Sequence, residues 1–200
     1  DRQPVADAVR ASMSIPFIFR PVTLTSTAGL ASTLVDGSDL SQWRKATTKK
    51  TRALFLESPT NPTLEVIDIA AVAKLANSIG ARLIVDNVFA TPLLQQPLQL
   101  GADLVVYSAT KHIDGQGRCL GGAILGPVAH RKDVLQPFLK HTGPSLSPFN
   151  AWVLLKGLET LDLRVREQTR SAVDQHDAMH AQDAAVRDAV SGSYGGGRGL

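Results

Sequence analysis

Lys111 stands in Tyr107-Ser108-Ala109-Thr110-Lys111-His112, a segment entered from the apolar run Leu104-Val105-Val106 and left through Asp114-Gly115-Gln116-Gly117-Arg118. A buried strand that empties into short hydroxyl residues, one lysine and then glycines reads as a strand delivering a reactive group to a ligand. Such an amine condenses with an aldehyde once it is uncharged, and desolvation beside other cations favours that state. Lys111 is therefore read as a Schiff-base lysine. Ser108 and Thr110 offer hydroxyl donors that could hold a phosphate near the same carbon. The tetrapeptide alone leaves open a solvated loop lysine among turn formers.

Arg82-Leu83-Ile84-Val85-Asp86-Asn87 is a second apolar strand, and it ends in a carboxylate. Parallel α/β sheets place ligands beyond the carboxyl ends of their strands, so Asp86 and Lys111 can meet across adjacent strand ends. A carboxylate there could pair with a protonated ring nitrogen, as in pyridoxal phosphate (PLP) enzymes, where it keeps the ring an electron sink. A helix N-cap or loop-start aspartate is the alternative.

Four ordered motifs now carry a resemblance. Glu57-Ser58-Pro59-Thr60-Asn61-Pro62, Val85-Asp86-Asn87, Phe89-Ala90-Thr91-Pro92 and Ser108-Ala109-Thr110-Lys111 together resemble the Cys/Met-metabolism family of PLP enzymes, whose members include cystathionine synthases and lyases. Within it, Asp114-Gly115-Gln116-Gly117-Arg118-Cys119 with Gly121-Gly122 looks most like the O-succinylhomoserine sulfhydrylase branch. Cystathionine enzymes more often carry a Gly-His-Ser-Asp type sequence there. The similarity runs from about Leu34 to about Met179.

The resemblance implies an α/β fold with a mostly parallel sheet and flanking helices, part of the large domain of a fold-type I PLP-dependent transferase (aspartate aminotransferase-like). It implies PLP as cofactor, held by Lys111, Asp86, Ser108, Thr110 and Asn61, with Asn61 near the phenolic oxygen and the substrate. The implied reaction converts O-succinylhomoserine and sulfide to homocysteine and succinate. A cystathionine gamma-synthase or gamma-lyase type reaction uses the same groups, so the nucleophile stays open. Family members build each site from two subunits of a dimer or tetramer and bind the substrate carboxylate through a C-terminal arginine. The glycine phosphate loop and that C-terminal domain are not recognisable here. A truncated enzyme or a catalytically inactive fragment is therefore expected beside the active one, and the homo-oligomer is not assured.

Composition bounds the remaining classes. Two hundred residues with 44% apolar content can bury a core. A net charge of +3, from 21 basic and 18 acidic residues mixed along the chain, argues against nucleic acid as partner, and the cluster Lys45, Lys49, Lys50 and Arg52 reads as a solvated face. No apolar run reaches the length of a membrane span, and no signal peptide is evident. The single cysteine, Cys119, excludes an internal disulfide, gives no metal cluster and fits a reducing cytoplasm; it reads as a packing residue. No G-x-G-x-x-G follows a first strand, which disfavours a nucleotide-binding Rossmann domain.

Three spans are expected: an unmatched segment over 1–33, the PLP-binding portion with its following helices over 34–179, and an unmatched, flexible tail over 180–200. Leu34-Val35 reads as a short strand, Asp39 to Ala46 as a helix capped by Ser38 or Asp39, and Ala53 to Glu57 as a buried strand. A helix over Ile67 to Ile79 closes on Gly80, and another is expected near Leu94 to Leu100. Gly121 to Gly126 reads as a further strand. Helices are then expected over His130 to His141, Phe149 to Thr160 and Leu161 to about Met179. Trp152, Leu155, Leu158, Leu161 and Leu163 are core candidates. His112 reads as a ring filling a packing slot, and Arg118 as a structural ion-pair partner, although either could serve the substrate.

Overall fold

The structure is a computed structural model that describes residues 24–25 and 31–194, with side-chain surroundings described for 31–183. Most of the unmatched segment expected over 1–33 lies outside the described residues. Strands β1 (Leu24–Thr25) and β2 (Ala31–Ser32) form a small antiparallel ladder. Leu34-Val35 is not a strand. The backbone there enters a cap instead: the Asp36 amide donates to Gln42 Oε1 at 3.1 Å, and Asp39 accepts from the Ser41 amide to start helix α1 (Leu40–Ala46).

Strand β3 (Ala53–Glu57) alternates exposed and buried residues, so Leu54 and Leu56 enter the core while Phe55 faces out. Helix α2 (Ile69–Ile79) follows. Asp68 caps it by accepting from the Ala71 amide, and Gly80 closes it at φ 72°, a conformation that costs glycine no Cβ clash. It starts two residues later than the periodicity alone predicts because the cap is Asp68. Ile69, Val72, Ala73 and Ala76 are buried on one face, and each large aliphatic side chain so placed contributes roughly 2 kcal/mol.

Strands β4 (Arg82–Asp86) and β5 (Leu104–Ser108) extend the sheet in parallel, and β6 (Gly122–Leu125) joins antiparallel, in the order β3-β4-β5-β6. At the amino ends of β4 and β5, the Leu83 amide donates to Asp103 Oδ2 at 2.7 Å and the Asp103 amide donates to Leu83 O at 2.9 Å. The core beneath the sheet joins Trp43, Leu54, Leu56, Ile67, Leu83, Val85, Val105 and Tyr107 with the buried face of α2.

The helix expected near Leu94 to Leu100 lies earlier, as α3 (Thr91–Leu94), and Pro97 to Gly101 form turns. Pro92 suits a first helical turn, whereas Pro97 has no amide to donate inside a helix. Helix α4 (Val128–His130) continues through a π-helical turn (Arg131–Leu135) into α5 (Gln136–Thr142), ending at Gly143 with φ 84°. Helices α6 (Pro148–Glu159) and α7 (Leu161–Tyr194) complete the chain.

Four of the five core candidates in these helices are corrected. Leu161 is buried, but Trp152, Leu155, Leu158 and Leu163 are exposed, and Val153, Leu154, Gly157 and Val165 face inward instead. The cause is a backbone approach. A Cβ at Gly157 would collide with the carbonyl oxygens of Ile113 and Asp114, so the helix face carrying glycine must lie against that loop. Helix α7 also continues through 180–194, where a tail is expected.

Candidate functional site

The register of β3, β4 and β5 collects functional side chains on one edge. Glu57 pairs with Asp86, and Asp86 with Val106, so Ser108 lies just past them at the carboxyl end of β5. The chain then turns, and Lys111 Nζ donates to Ser108 Oγ at 2.9 Å. Lys111 is exposed rather than enclosed. Asp86 and Lys111 thus share the edge at which parallel sheets bind ligands.

The Asp86 carboxyl is lifted above the ordinary aspartate range by burial, against the opposing effects of the Val88 amide and the Lys111 charge. Its Oδ1 accepts from Val88 N at 3.0 Å, closing an Asx turn, and its Oδ2 has no hydrogen-bond partner among the described residues. Glu57 is likewise raised, first by burial and further by Asp86, while the Asn61 amide and Lys111 act in the opposite sense. Two carboxylates and one ammonium therefore share one field.

Asn61 is exposed in the loop after β3, where Ser58–Pro59 and Asn61–Pro62 are cis peptides. Its amide donates to Glu57 Oε2 at 3.1 Å, so Glu57 ties the loop to the strand end. Thr110 Oγ1 accepts from the Gly121 amide at 3.2 Å and donates to the Gly121 carbonyl at a long 3.4 Å. It therefore joins the lysine turn to the start of β6.

Sequence reasoning assigned no role to the network beneath this edge. Asn87, fully buried, has its Nδ2 within 2.9 to 3.0 Å of Thr91 O, Gln95 O and Tyr107 Oη, three acceptors sharing two N–H groups, and accepts from Gln95 Nε2 at 2.7 Å. Gln95 Nε2 also donates to Ser58 O at 2.8 Å. Two amide side chains, Asn87 and Gln95, thus link the ends of β3, β4 and β5. The only signal for this link was an asparagine directly after a buried strand. Burial raises the Tyr107 hydroxyl, opposed by Asn87.

His112 lines a cavity of about 10 Å³ with Val88, Thr91, Tyr107, Ile113 and Leu161. Burial, then the Arg164 charge, pushes its imidazole below the ordinary range, and the ring acts as packing. The Arg118 side chain is committed to the buried Asp114: its Nε donates to Oδ1 at 2.8 Å and its amide to Oδ2 at 2.6 Å. The ion-pair reading of Arg118 accords with this contact. Cys119 Sγ faces Asn150 O at 4.0 Å. Among the described residues, no three or more His, Cys, Asp or Glu side chains gather as a metal cluster, and no helix is long and apolar enough to cross a membrane.

The mostly parallel sheet with flanking helices is the fold of the fold-type I PLP-dependent enzymes, whose solved members superimpose on it. The chain belongs to the Cys/Met metabolism PLP-dependent enzyme family, whose profile matches residues 20–189. It is 58% identical over 144 residues to an O-succinylhomoserine sulfhydrylase of Mycobacterium tuberculosis, covering 72% of this chain and 36% of that protein. Against the O-succinylhomoserine sulfhydrylase of Pseudomonas aeruginosa the identity is 51% over 150 residues, covering 75% and 37%. Among solved structures, metB from Corynebacterium glutamicum superimposes with a TM-score of 0.63 at 40% identity, covering 64% of this chain and 34% of that one. Cystathionine gamma-lyase from Lactobacillus plantarum, solved with L-serine, gives 0.62 at 39%, with the same coverage. The chain thus spans little more than a third of the length of the curated relatives it matches.

Proposed function

We propose that this chain carries the cofactor core of an O-succinylhomoserine sulfhydrylase, acting in the cytoplasm on small amino-acid substrates to make homocysteine and succinate from O-succinylhomoserine and sulfide. The observation that carries the reading is the convergence of Lys111 and Asp86 on one sheet edge, with Ser108 bridging strand end and lysine. The identity to two sulfhydrylases supports this branch over the cystathionine enzymes.

The donor set suits PLP. When bound, PLP supplies an electron sink for carbanions formed next to its aldehyde carbon. Lys111 would hold the cofactor through its amine and, when not so engaged, could carry a proton to or from substrate carbons, with Ser108 Oγ as its resting partner at 2.9 Å. Asp86, half-buried with Oδ2 unpaired, offers a carboxylate to a protonated ring nitrogen, and that cation would offset the burial that now raises its pKa. Ser108 Oγ and Thr110 Oγ1 offer phosphate donors. The long Thr110 bond to Gly121 O lets the hydroxyl proton turn to a phosphate oxygen while the Gly121 amide still holds the side chain. Asn61, presented by the Glu57-anchored loop, offers an amide to the phenolic oxygen and the substrate.

A second reading, capture of the cofactor without turnover, is favoured by the exposure of Lys111, since water at the amine weakens every electrostatic contact made there. One experiment separates the two. The purified chain is mixed with PLP, reduced with borohydride, mapped by peptide mass spectrometry, and assayed for sulfide-dependent homocysteine formation, with Lys111→Ala as control. Labelling confined to Lys111 together with turnover is the expected result. Labelling without turnover leaves the binding core alone, and diffuse labelling unchanged in Lys111→Ala overturns both.

A further inference from the structure

We propose that His176 and His180, on the exposed face of α7, form a binding site for one late first-row divalent metal ion, with Cu2+ and Ni2+ preferred over Zn2+. The two residues are one helical turn apart and so project from the same face. Their Nε2 atoms lie 2.9 Å from each other. In the metal-free chain this contact is an N–H···N hydrogen bond, and a metal ion that displaced its proton would find two imidazole nitrogens already converged.

The neighbouring carboxylate bears on which tautomer His176 adopts. His176 Nδ1 lies 3.3 Å from Asp177 Oδ1. An Nδ1–H donated to that carboxylate leaves the lone pair on Nε2, directed at His180. This is the arrangement found behind metal-bound histidines, where a carboxylate on the far ring nitrogen fixes the tautomer and strengthens the ligand. The side chains of His176 and Asp177 are 68% and 75% exposed, so an ion reaches the pair without opening the fold.

The ligand type points to the class of metal. Two nitrogens each about 2.0–2.1 Å from one ion lie about 2.9 Å apart at a right angle and about 3.3 Å apart at a tetrahedral angle. The observed 2.9 Å reaches either arrangement with a small side-chain rotation, and imidazole ligands favour Cu2+ and Ni2+ by the general affinity order of divalent metals. No further His, Cys, Asp or Glu joins to make a group of three among the described residues, so water completes the shell and the affinity is moderate. The site is separate from the cofactor edge: His176 lies about 18 Å of helix beyond Arg164.

The test titrates the purified chain with Cu2+, Ni2+ and Zn2+ against a chromogenic competing chelator. It compares His176→Ala, His180→Ala, His141→Ala and the double variant His180→Ala/Ala178→His, which keeps the histidine count but breaks the spacing. Alanine favours helix, so these exposed changes leave α7 formed, which far-UV circular dichroism verifies. The expected result is one ion per chain with Cu2+ tightest. Affinity falls about tenfold or more in His176→Ala, His180→Ala and the double variant, and is unchanged in His141→Ala. Equal affinity in the parent and both single variants, recovery of binding by the double variant, or the absence of any competition by the parent chain overturns the proposal.

Discussion

The edge formed by β3, β4 and β5 and the flank formed by β6, α4 and α5 are built on opposite terms. At the first, Leu83, Val85 and Val105 are 0–1% exposed and the polar groups above them are tied together through Asn87 and Gln95. At the second, Ile124, Leu125, Val128, Phe138, Leu139 and Leu146 are 40% or more exposed, beside an open groove of about 1080 Å³. Order at the chemical edge comes from within the described residues. On the flank the described residues leave apolar surface facing water, at a cost that scales with its area.

The largest expected effect sharpens that contrast. Leu83→Ala should lower unfolding free energy in urea by about 3 kcal/mol, whereas Phe138→Ala should change it by less than about 0.5 kcal/mol. Equal losses would erase the distinction between the two regions.

Much of the first region was legible because its signals are local. The strands Ala53 to Glu57, Leu83 to Asp86 and Leu104 to Tyr107 lead to functional residues, although the first, expected to be buried, alternates and leaves Phe55 exposed, and Asp68 and Gly80 mark the limits of α2. Glu57 and Gln95 were not given roles, since their function depends on which strand ends become neighbours. The inward face of α6 was misread for a related reason. The contact of Gly157 with the Ile113 and Asp114 carbonyls outranks the leucine spacing, and no property of the helix itself announces that contact. The long α7 was cut short because its acidic, alanine-rich stretch lacks an apolar stripe, although i,i+4 pairs such as Arg166–Asp162 and Arg170–Asp174 support its exposed turns.

A smaller effect separates function from stability at the edge. The Asp86 carboxyl titrates above its ordinary value of 3.8 because it is partly buried, so the folded chain holds this proton more tightly than the unfolded chain. Its contribution therefore declines as pH rises from the ordinary value through the raised one, and the full penalty is present at neutral pH. Asp86→Asn is expected to raise the Tm of the cofactor-free chain slightly at pH 7, with the gain vanishing toward pH 3, while reductive capture of PLP at Lys111 is lost. A Tm difference that grows on acidification would reverse the assigned sign.

The smallest expected change in folding free energy is on the flank, where the readout is association. Phe138→Ser should leave the urea midpoint nearly unchanged and reduce light scattering by the concentrated chain, because it removes exposed apolar area. Unchanged scattering would show that this surface does not drive association.

The Asp103 clamp at the far end of the sheet has an evolutionary corollary. It holds Leu83 beside the start of β5, and three residues on, the same strand ends in Asp86. A residue inserted or deleted between the two would move the carboxylate off the edge and turn the buried face of β4 outward. Length variation among descendants of this sequence should therefore be absent from β4.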